Sequence, residues 1–269
     1  MILIRRNKNH LKALHGLLLF NLLLLYSCHV NPKKQVYHLK REVVYEMQEA
    51  SDTGSFRLEK PAFTDTSYIE YIFKGYDLVD IQSLDSSILV SLRYSDTCNF
   101  LCRNFYDGLK KAYFTCDMAL KLCAAQHYLH QVDSSLSLVV LDASRPLHIQ
   151  QMMWDSLKMD PVAKLNYLSR PDETSLHNYG CAVDVTIANT ATGELLDMGT
   201  DFDVFDKLSQ PFYEIRFLRS GELTQEAYLH RMLLRRVMQR AGLSGITSEW
   251  WHFSLCKKDE AAKKYSLIQ

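Results

Sequence analysis

No sign of charge dominates this chain. Lysine plus arginine and aspartate plus glutamate each total 31, so the formal net charge is zero. There is no basic block, which excludes the electrostatic footprint of a nucleic-acid-binding protein. Long apolar runs are also missing. Gly16 to Tyr26 (GLLLFNLLLLY) falls well short of the roughly 20 residues that a spanning helix needs. No two cysteines form a CxxC pair, so a thiolate zinc site is not indicated. A glycine-rich phosphate loop and a regular βαβ period are absent, which argues against a dinucleotide-binding fold. No internal repeat is found.

What is present suits one globular domain with a sizeable core, or two small ones. The 269 residues are 47% apolar and 23% charged. Arg5, Arg6, Lys8 and Lys12 form a positive region ahead of the short apolar run, the pattern of a secretory signal. The run ends in Leu25-Tyr26-Ser27-Cys28, which resembles a bacterial lipobox. Cys28 is then expected to be the lipidated first residue of the mature protein, with a plain secretory peptide as the alternative. The expected location is the cell envelope, as an exported, periplasm-facing lipoprotein whose only membrane contact is its lipid anchor. Six further cysteines, at 98, 102, 116, 123, 181 and 256, permit about 15 pairings among which sequence does not choose. Cys116 and Cys123 share a helical face with Ala119 and Leu120, which suits buried thiols at least as well as bridges.

Residues 1–28 read as the signal segment, 29–75 as a polar tether and 76–269 as the domain. GYDLVDIQSLDSSILVSLRYS carries two short strand-like runs. A helix is expected from about Thr115 to His130 and a buried strand over Leu136–Leu141. Pro146 is placed at the first helical position after that strand. A further strand covers Cys181–Ile187. Thr224 caps a helix that runs to about Ala241, apolar at Leu229, Met232, Leu233, Val237 and Ala241 and ended by Gly242. ITSEWWHFSL (Ile246–Leu255) reads as the last strand. The irregular order of strands and helices points to an α+β fold, with a small antiparallel sheet and flanking helices.

The stretch SLHNYGCAVDV raises a chemical question. Val183, Val185 and Ile187 alternate onto one strand face, which leaves Asp184 on the other. A buried carboxylate is costly unless it is paired or binds a cation. His177 lies just upstream, and Glu249-Trp250-Trp251-His252 adds a second histidine and a second acid. His177, Asp184 and His252 make a ligand set suited to Zn²⁺, one ion per chain. Three protein ligands with one open position is the catalytic zinc arrangement. Glu249 is left as a general base. In a regular strand Glu249 and His252 point to opposite faces, so a turn, bulge or strand end is expected between them. His127 and His130, three apart on a helix, form a decoy pair and are assigned to the surface or core rim. His38, His148 and His230 have no acid at ligand spacing. Trp250 and Trp251 are read as core or cleft packing.

Taken together, Ser175-x-His177-x-x-Gly180-x-Ala182-x-Asp184 and Glu249-x-x-His252 resemble the signature of the zinc D,D-peptidases of cell-wall metabolism. DASRP (Asp142–Pro146), RYSDTCNF (Arg93–Phe100) and GELLDMGTDFDVF (Gly193–Phe205) resemble segments of the D-alanyl-D-alanine dipeptidase (VanX-type) branch. The resemblance covers about Tyr76 to Leu255. It implies a single-domain zinc D,D-peptidase (hedgehog-like) fold, with His177, Asp184 and His252 on zinc and Glu249 as base. It further implies that Arg145 stabilises the tetrahedral oxyanion, and that Tyr94, Ser175 and Asp203 hold the substrate's amino end. The substrate implied is a small D,D-dipeptide, D-alanyl-D-alanine, with longer peptidoglycan peptides as the alternative.

Four residues at three places depart from the dipeptidase pattern. Asn178-Tyr179 stands where that branch carries Ser-Arg, Cys102 stands where glycine is expected, and Cys181 lies inside the zinc motif without a ligand role. Substrate choice is the property these departures touch.

Overall fold

The computed structural model describes residues 68–269. Cys28 and the signal and lipobox readings lie outside the described residues. Helix α1 (Tyr68–Phe73) comes first and buries Ile69 and Phe73 in the main core. The packed unit therefore begins ahead of Tyr76, where the domain was expected to start.

The two short runs form β1 (Leu78–Asp80) and β2 (Leu89–Val90), with the one-turn α2 (Ile81–Leu84) between them. Strand β3 (Tyr113–Thr115) pairs antiparallel with β1 in a two-stranded sheet. Thr115 then caps α3 (Cys116–Val132), accepting the Met118 N–H at 3.4 Å. A hydroxyl at this position satisfies a donor that the first helical turn leaves unpaired. Met118, Ala119, Leu122, Ala125 and Leu129 recur at helical spacing and are buried against β4 (Leu136–Asp142). Leu120, expected on that face, is exposed because the buried stripe centres on Met118 and Leu122.

Strand β4 is buried at all seven positions and β5 (Ala182–Asn189) at all but the last. Strands covered on both faces read as near-continuous apolar runs, and LSLVVL is one. The main sheet has the order β2-β4-β5-β7-β6, where β6 is Ser244–Gly245 and β7 is His252–Ser254. The fold is α+β as expected, and β2 adds a parallel edge to an otherwise antiparallel sheet. ITSEWWHFSL is not one strand. Its middle bends so that Trp250 and Trp251 turn into the core, and only His252–Ser254 and the preceding β6 pair. Pro146 sits one residue outside α4 (Leu147–Ser156), as its cap.

After the short α5 (Pro161–Lys164) and α6 (Glu214–Ser220) comes α7 (Gln225–Arg240), capped by Thr224 as expected. Its buried face is Ala227, Arg231, Leu234, Val237 and Met238, and Leu229 is exposed. Apolarity alone rotates the predicted face, because a fully buried arginine belongs to it. Arg231 donates to the carbonyls of Met198 (2.6 Å) and Leu208 (3.0 Å) and pairs with Glu214 at 3.4 Å. These bonds pin the long segment between β5 and α6. The chain ends after α8 (Lys258–Lys264). Cys98, Cys102, Cys123, Cys181 and Cys256 are free thiols. Cys102 has φ 50°, the left-handed conformation that favours glycine, as the family pattern anticipates.

Candidate active site

Three neighbouring strands set one row of polar side chains. Asp142 on β4 is opposite Asp184 on β5, and Asp184 is opposite His252 on β7. Directly opposed residues share a face, so the sheet register alone brings the three together. A register irregularity between Val140 and Asp142 puts Asp142 in this row.

His177 arrives from outside the sheet, on a single 3-10 turn (Leu176–Tyr179). Ser175 caps the turn and Asn178 completes a capping box. Gly180 closes it at φ 66°, where a Cβ would lie 2.9 Å from Leu78 Cδ2 and 3.1 Å from the Thr115 nitrogen. Only glycine meets both the backbone angle and the space.

The ligand atoms converge. His252 Nδ1 is 2.9 Å from Asp184 Oδ1. His177 Nε2 is 3.5 Å from Asp184 Oδ1 and 3.3 Å from His252 Nδ1. A tetrahedral centre with bonds of about 2.0–2.1 Å needs ligand atoms about 3.3 Å apart. Tautomers are fixed from behind. His177 Nδ1–H donates to the Ala143 carbonyl at 2.8 Å, which leaves Nε2 as the ligand atom. With His252 Nδ1 facing the metal position, its Nε2–H donates to Ser254 Oγ at 3.1 Å. Among the described residues this is the one cluster of at least three His, Cys, Asp or Glu side chains able to hold a metal. The donor set fits Zn²⁺.

The electrostatics agree. Burial pushes Asp184 up, but the charges and hydrogen bonds of His177 and His252 outweigh it and hold the carboxyl below the usual range. Burial pulls His252 down, and the Asp184 hydrogen bond and charge raise it above the usual imidazole value. Glu249 is raised, first by burial and then by Asp184, against the opposing pull of His252.

Glu249 lines the cleft beside His252, and bends at Trp250 and Trp251 bring both to one side. Its carboxylate has no hydrogen-bond partner among the described residues. Arg145 is buried where the chain leaves β4, with Nη2 2.5 Å from Asp142 Oδ2 and its guanidinium 5.4 Å from the Tyr94 ring centre. Its Nε has no partner among the described residues. Tyr94 donates from its hydroxyl to Asp203 Oδ2 at 2.8 Å. Asp203 is held at φ 61°, and burial raises its carboxyl well above the ordinary range. Tyr94, Arg145, Ser175, His177, Asp184, Asp203, Glu249 and His252 thus all line one cleft of about 970 Å³.

The decoys are accounted for. His127 and His130 each meet a glutamine of their own helix, Gln131 and Gln126. Trp250 donates from Nε1 to Thr200 Oγ1 at 2.9 Å, and Trp251 packs on Phe202 and Phe205. Cys181 is fully buried and its thiol donates to the Tyr179 carbonyl.

Sequence reasoning missed Asp142 as a site residue. It is fully buried, accepts the Tyr106 hydroxyl at 2.6 Å and anchors Arg145. The signal was available, since an aspartate ending an all-apolar strand poses the same question as Asp184. Asn178, expected to bear on substrate choice, is fully buried and absent from the cleft lining.

A buried two-histidine, one-aspartate cluster, a free carboxylate and an anchored arginine on an α+β scaffold define a metallopeptidase. Residues 74–269 match the model of the D-ala-D-ala dipeptidase family, and the chain belongs to that family. The D-alanyl-D-alanine dipeptidase of Escherichia coli (strain K12) is 31% identical over 183 residues, covering 66% of this chain and 84% of that protein. The Enterococcus faecium D-alanyl-D-alanine dipeptidase is 29% identical over 150 residues, covering 51% and 67%. A crystallised mutant of the vancomycin resistance D,D-pentapeptidase VanY, in complex with Zn(II), is similar at 17% identity. It covers 56% of this chain and 78% of that one, with a TM-score of 0.29, too slight a likeness to build on.

Proposed function

We propose that the protein is a zinc peptidase that hydrolyses D-alanyl-D-alanine to free D-alanine. The observation that carries this is the pairing of Tyr94 with Asp203 in the same cleft as the His177–Asp184–His252 cluster. A dipeptidase must hold a free ammonium as well as cleave a bond, and a carboxylate suits that group. Zinc, when bound, acidifies a water and polarises the scissile carbonyl. Glu249 takes the proton from the attacking water and passes it to the leaving amine. Its raised pKa brings it nearer the operating pH, as proton transfer in both directions requires. Arg145 presents a fixed positive charge to the developing oxyanion, and Asp142 and Tyr94 hold it ready. Asp203, with Tyr94 and Ser175, orients the amino end.

A second reading, cleavage of longer peptidoglycan peptides by a D,D-carboxypeptidase or endopeptidase, draws on the cleft's size. About 970 Å³ lies at the upper end for small-molecule pockets, and the walls extend past the metal cluster to Tyr167 and Gln210. A panel of D,D-dipeptide, D,D-tripeptide and muropeptides decides between the two. Release of D-alanine from the dipeptide is expected, and cleavage of the longer peptides alone refutes the dipeptidase assignment.

Export to the cell envelope with a lipid on Cys28 is also part of the proposal, supported by the basic n-region and apolar run alone. Membrane contact is then through that anchor, and the described packed unit includes α1. Cell fractionation that found the protein in the cytoplasm would overturn this part.

A further inference from the structure

Asn178 departs from the dipeptidase pattern, yet it does not touch the cleft. It follows His177 directly and is fully buried. Every polar atom it has is used. Oδ1 accepts the Ser175 N–H at 2.6 Å. Nδ2 donates to the Arg145 carbonyl at 2.9 Å and to Gln150 Oε1 at 3.1 Å. Its backbone N–H donates to the Ser175 carbonyl, and its own carbonyl accepts the Ile268 N–H.

The bond to Arg145 has a counterpart. The Arg145 N–H donates to the His177 carbonyl at 2.9 Å. Residues 177 and 178 therefore grip both backbone polar groups of Arg145, and the second grip comes from a side chain. Arg145 lies on the turn out of β4, where no sheet partner fixes its backbone. A small rotation there is amplified along a long side chain before it reaches the guanidinium.

We infer that Asn178 is a positioning residue, which sets Arg145 and Ser175 relative to the metal ligand His177. A serine there, as in the dipeptidase pattern, has one hydroxyl with one donor. It cannot accept from Ser175 and donate to both Arg145 and Gln150. The inference rests on the proposed role of Arg145 in the oxyanion step, and its test separates the two.

The test uses the full zinc-loaded protein with Asn178→Ser and, as a second variant, Asn178→Asp, which keeps the acceptor and loses the donors. Zinc content should stay complete while kcat falls about tenfold or more, since displacements of about 1 Å can cost up to a hundredfold. In an Arg145→Ala background the same change should cost less than about twofold, because coupled residues are non-additive. Gln150→Leu, which removes a partner of Asn178 outside the cleft, should lower thermal stability with kcat within about twofold of wild type.

An equal loss with and without Arg145 would show a merely structural role and overturn the inference. So would wild-type kcat in Asn178→Ser, or failure of both Asn178 variants to fold. A crystal structure of Asn178→Ser gives a readout independent of activity. The guanidinium should leave its place over Tyr94, and an unmoved Arg145 refutes the inference even if the enzyme proves inactive on every dipeptide.

Discussion

Replacing Asp142 by asparagine probes how the fold sustains an arginine in a dry site. Asp142 is fully buried, accepts from Tyr106 through Oδ1, and pairs with Arg145 through Oδ2. Arg145 is itself only 4% exposed and already has an unpartnered Nε. Removing one member of a buried pair leaves an uncompensated charge and costs about 3–5 kcal/mol. Asparagine keeps the shape and one oxygen, so the loss is that of a charge-assisted hydrogen bond, about 2 kcal/mol. The same change frees the guanidinium to move, and losing one oxyanion donor costs about 10²–10³ in kcat. Asp142→Asn should therefore unfold in urea about 2 kcal/mol more easily in the zinc-free state, and release D-alanine about a hundredfold more slowly when loaded. Tyr106→Phe is the control. It removes the other bond to Asp142, should cost about 1 kcal/mol, and should leave kcat within a few-fold. Wild-type turnover in Asp142→Asn, or equal turnover losses in both variants, would refute the claim that Asp142 acts through Arg145.

Other consequences can be checked alongside. Glu249→Ala should bind zinc fully, by metal analysis, and lose turnover; an active variant removes Glu249 as the base. His252 in the metal-free protein is raised above 6.5, so its pairing with Asp184 stabilises that form fully below pH 6.5, and the contribution fades as pH rises through the folded-state pKa. Zinc needs the neutral ring, so binding at a pH below the raised pKa should release a proton, read by calorimetry in buffers of different ionisation enthalpy, and affinity should fall as pH drops. No proton release would contradict the His252–Asp184 pair. Gly180→Ala adds a left-handed penalty of about 1–2 kcal/mol to an overpacking cost of about 1–3 kcal/mol, and should lower both melting temperature and zinc affinity. Arg231→Ala strips the carbonyls of Met198 and Leu208 of their donor and should cost about 3 kcal/mol, with KM raised through the segment that carries Asp203.

Much of the site was legible because its residues are conspicuous in their local settings. Asp184 breaks an apolar alternation, and His177 and His252 stand beside it in motifs with fixed spacing. The bend that brings Glu249 and His252 to one cleft was required by the geometry of strands before it was seen. Less legible was whatever depended on pairing between distant segments. That β4 and β5 place Asp142 opposite Asp184 is a matter of register, and register includes an irregularity that no local pattern announces. The buried face of α7 was misjudged for a related reason. Arg231 reads as a surface residue until the carbonyls of a segment about 30 residues earlier are found around it.

The two aspartates in that row show why a buried acid alone does not define a metal site. Asp142 and Asp184 are direct cross-strand neighbours, both almost wholly buried. Two carboxylates so placed repel one another, and each persists as an anion only with a cation of its own. Asp184 faces the two histidines and so belongs to the metal. Asp142 is taken by Arg145 and Tyr106, and its Oδ2 stays 3.6 Å from His177 Nδ1, the nitrogen committed to the Ala143 carbonyl. That carbonyl turns the coordinating nitrogen of His177 towards Asp184 and away from Asp142. One backbone hydrogen bond thus assigns His177 to Asp184, while the sheet register gives the same acid His252. Moving β5 by one residue against its neighbours would turn Asp184 to the other face, away from the two histidines, and leave Asp142 with Arg145.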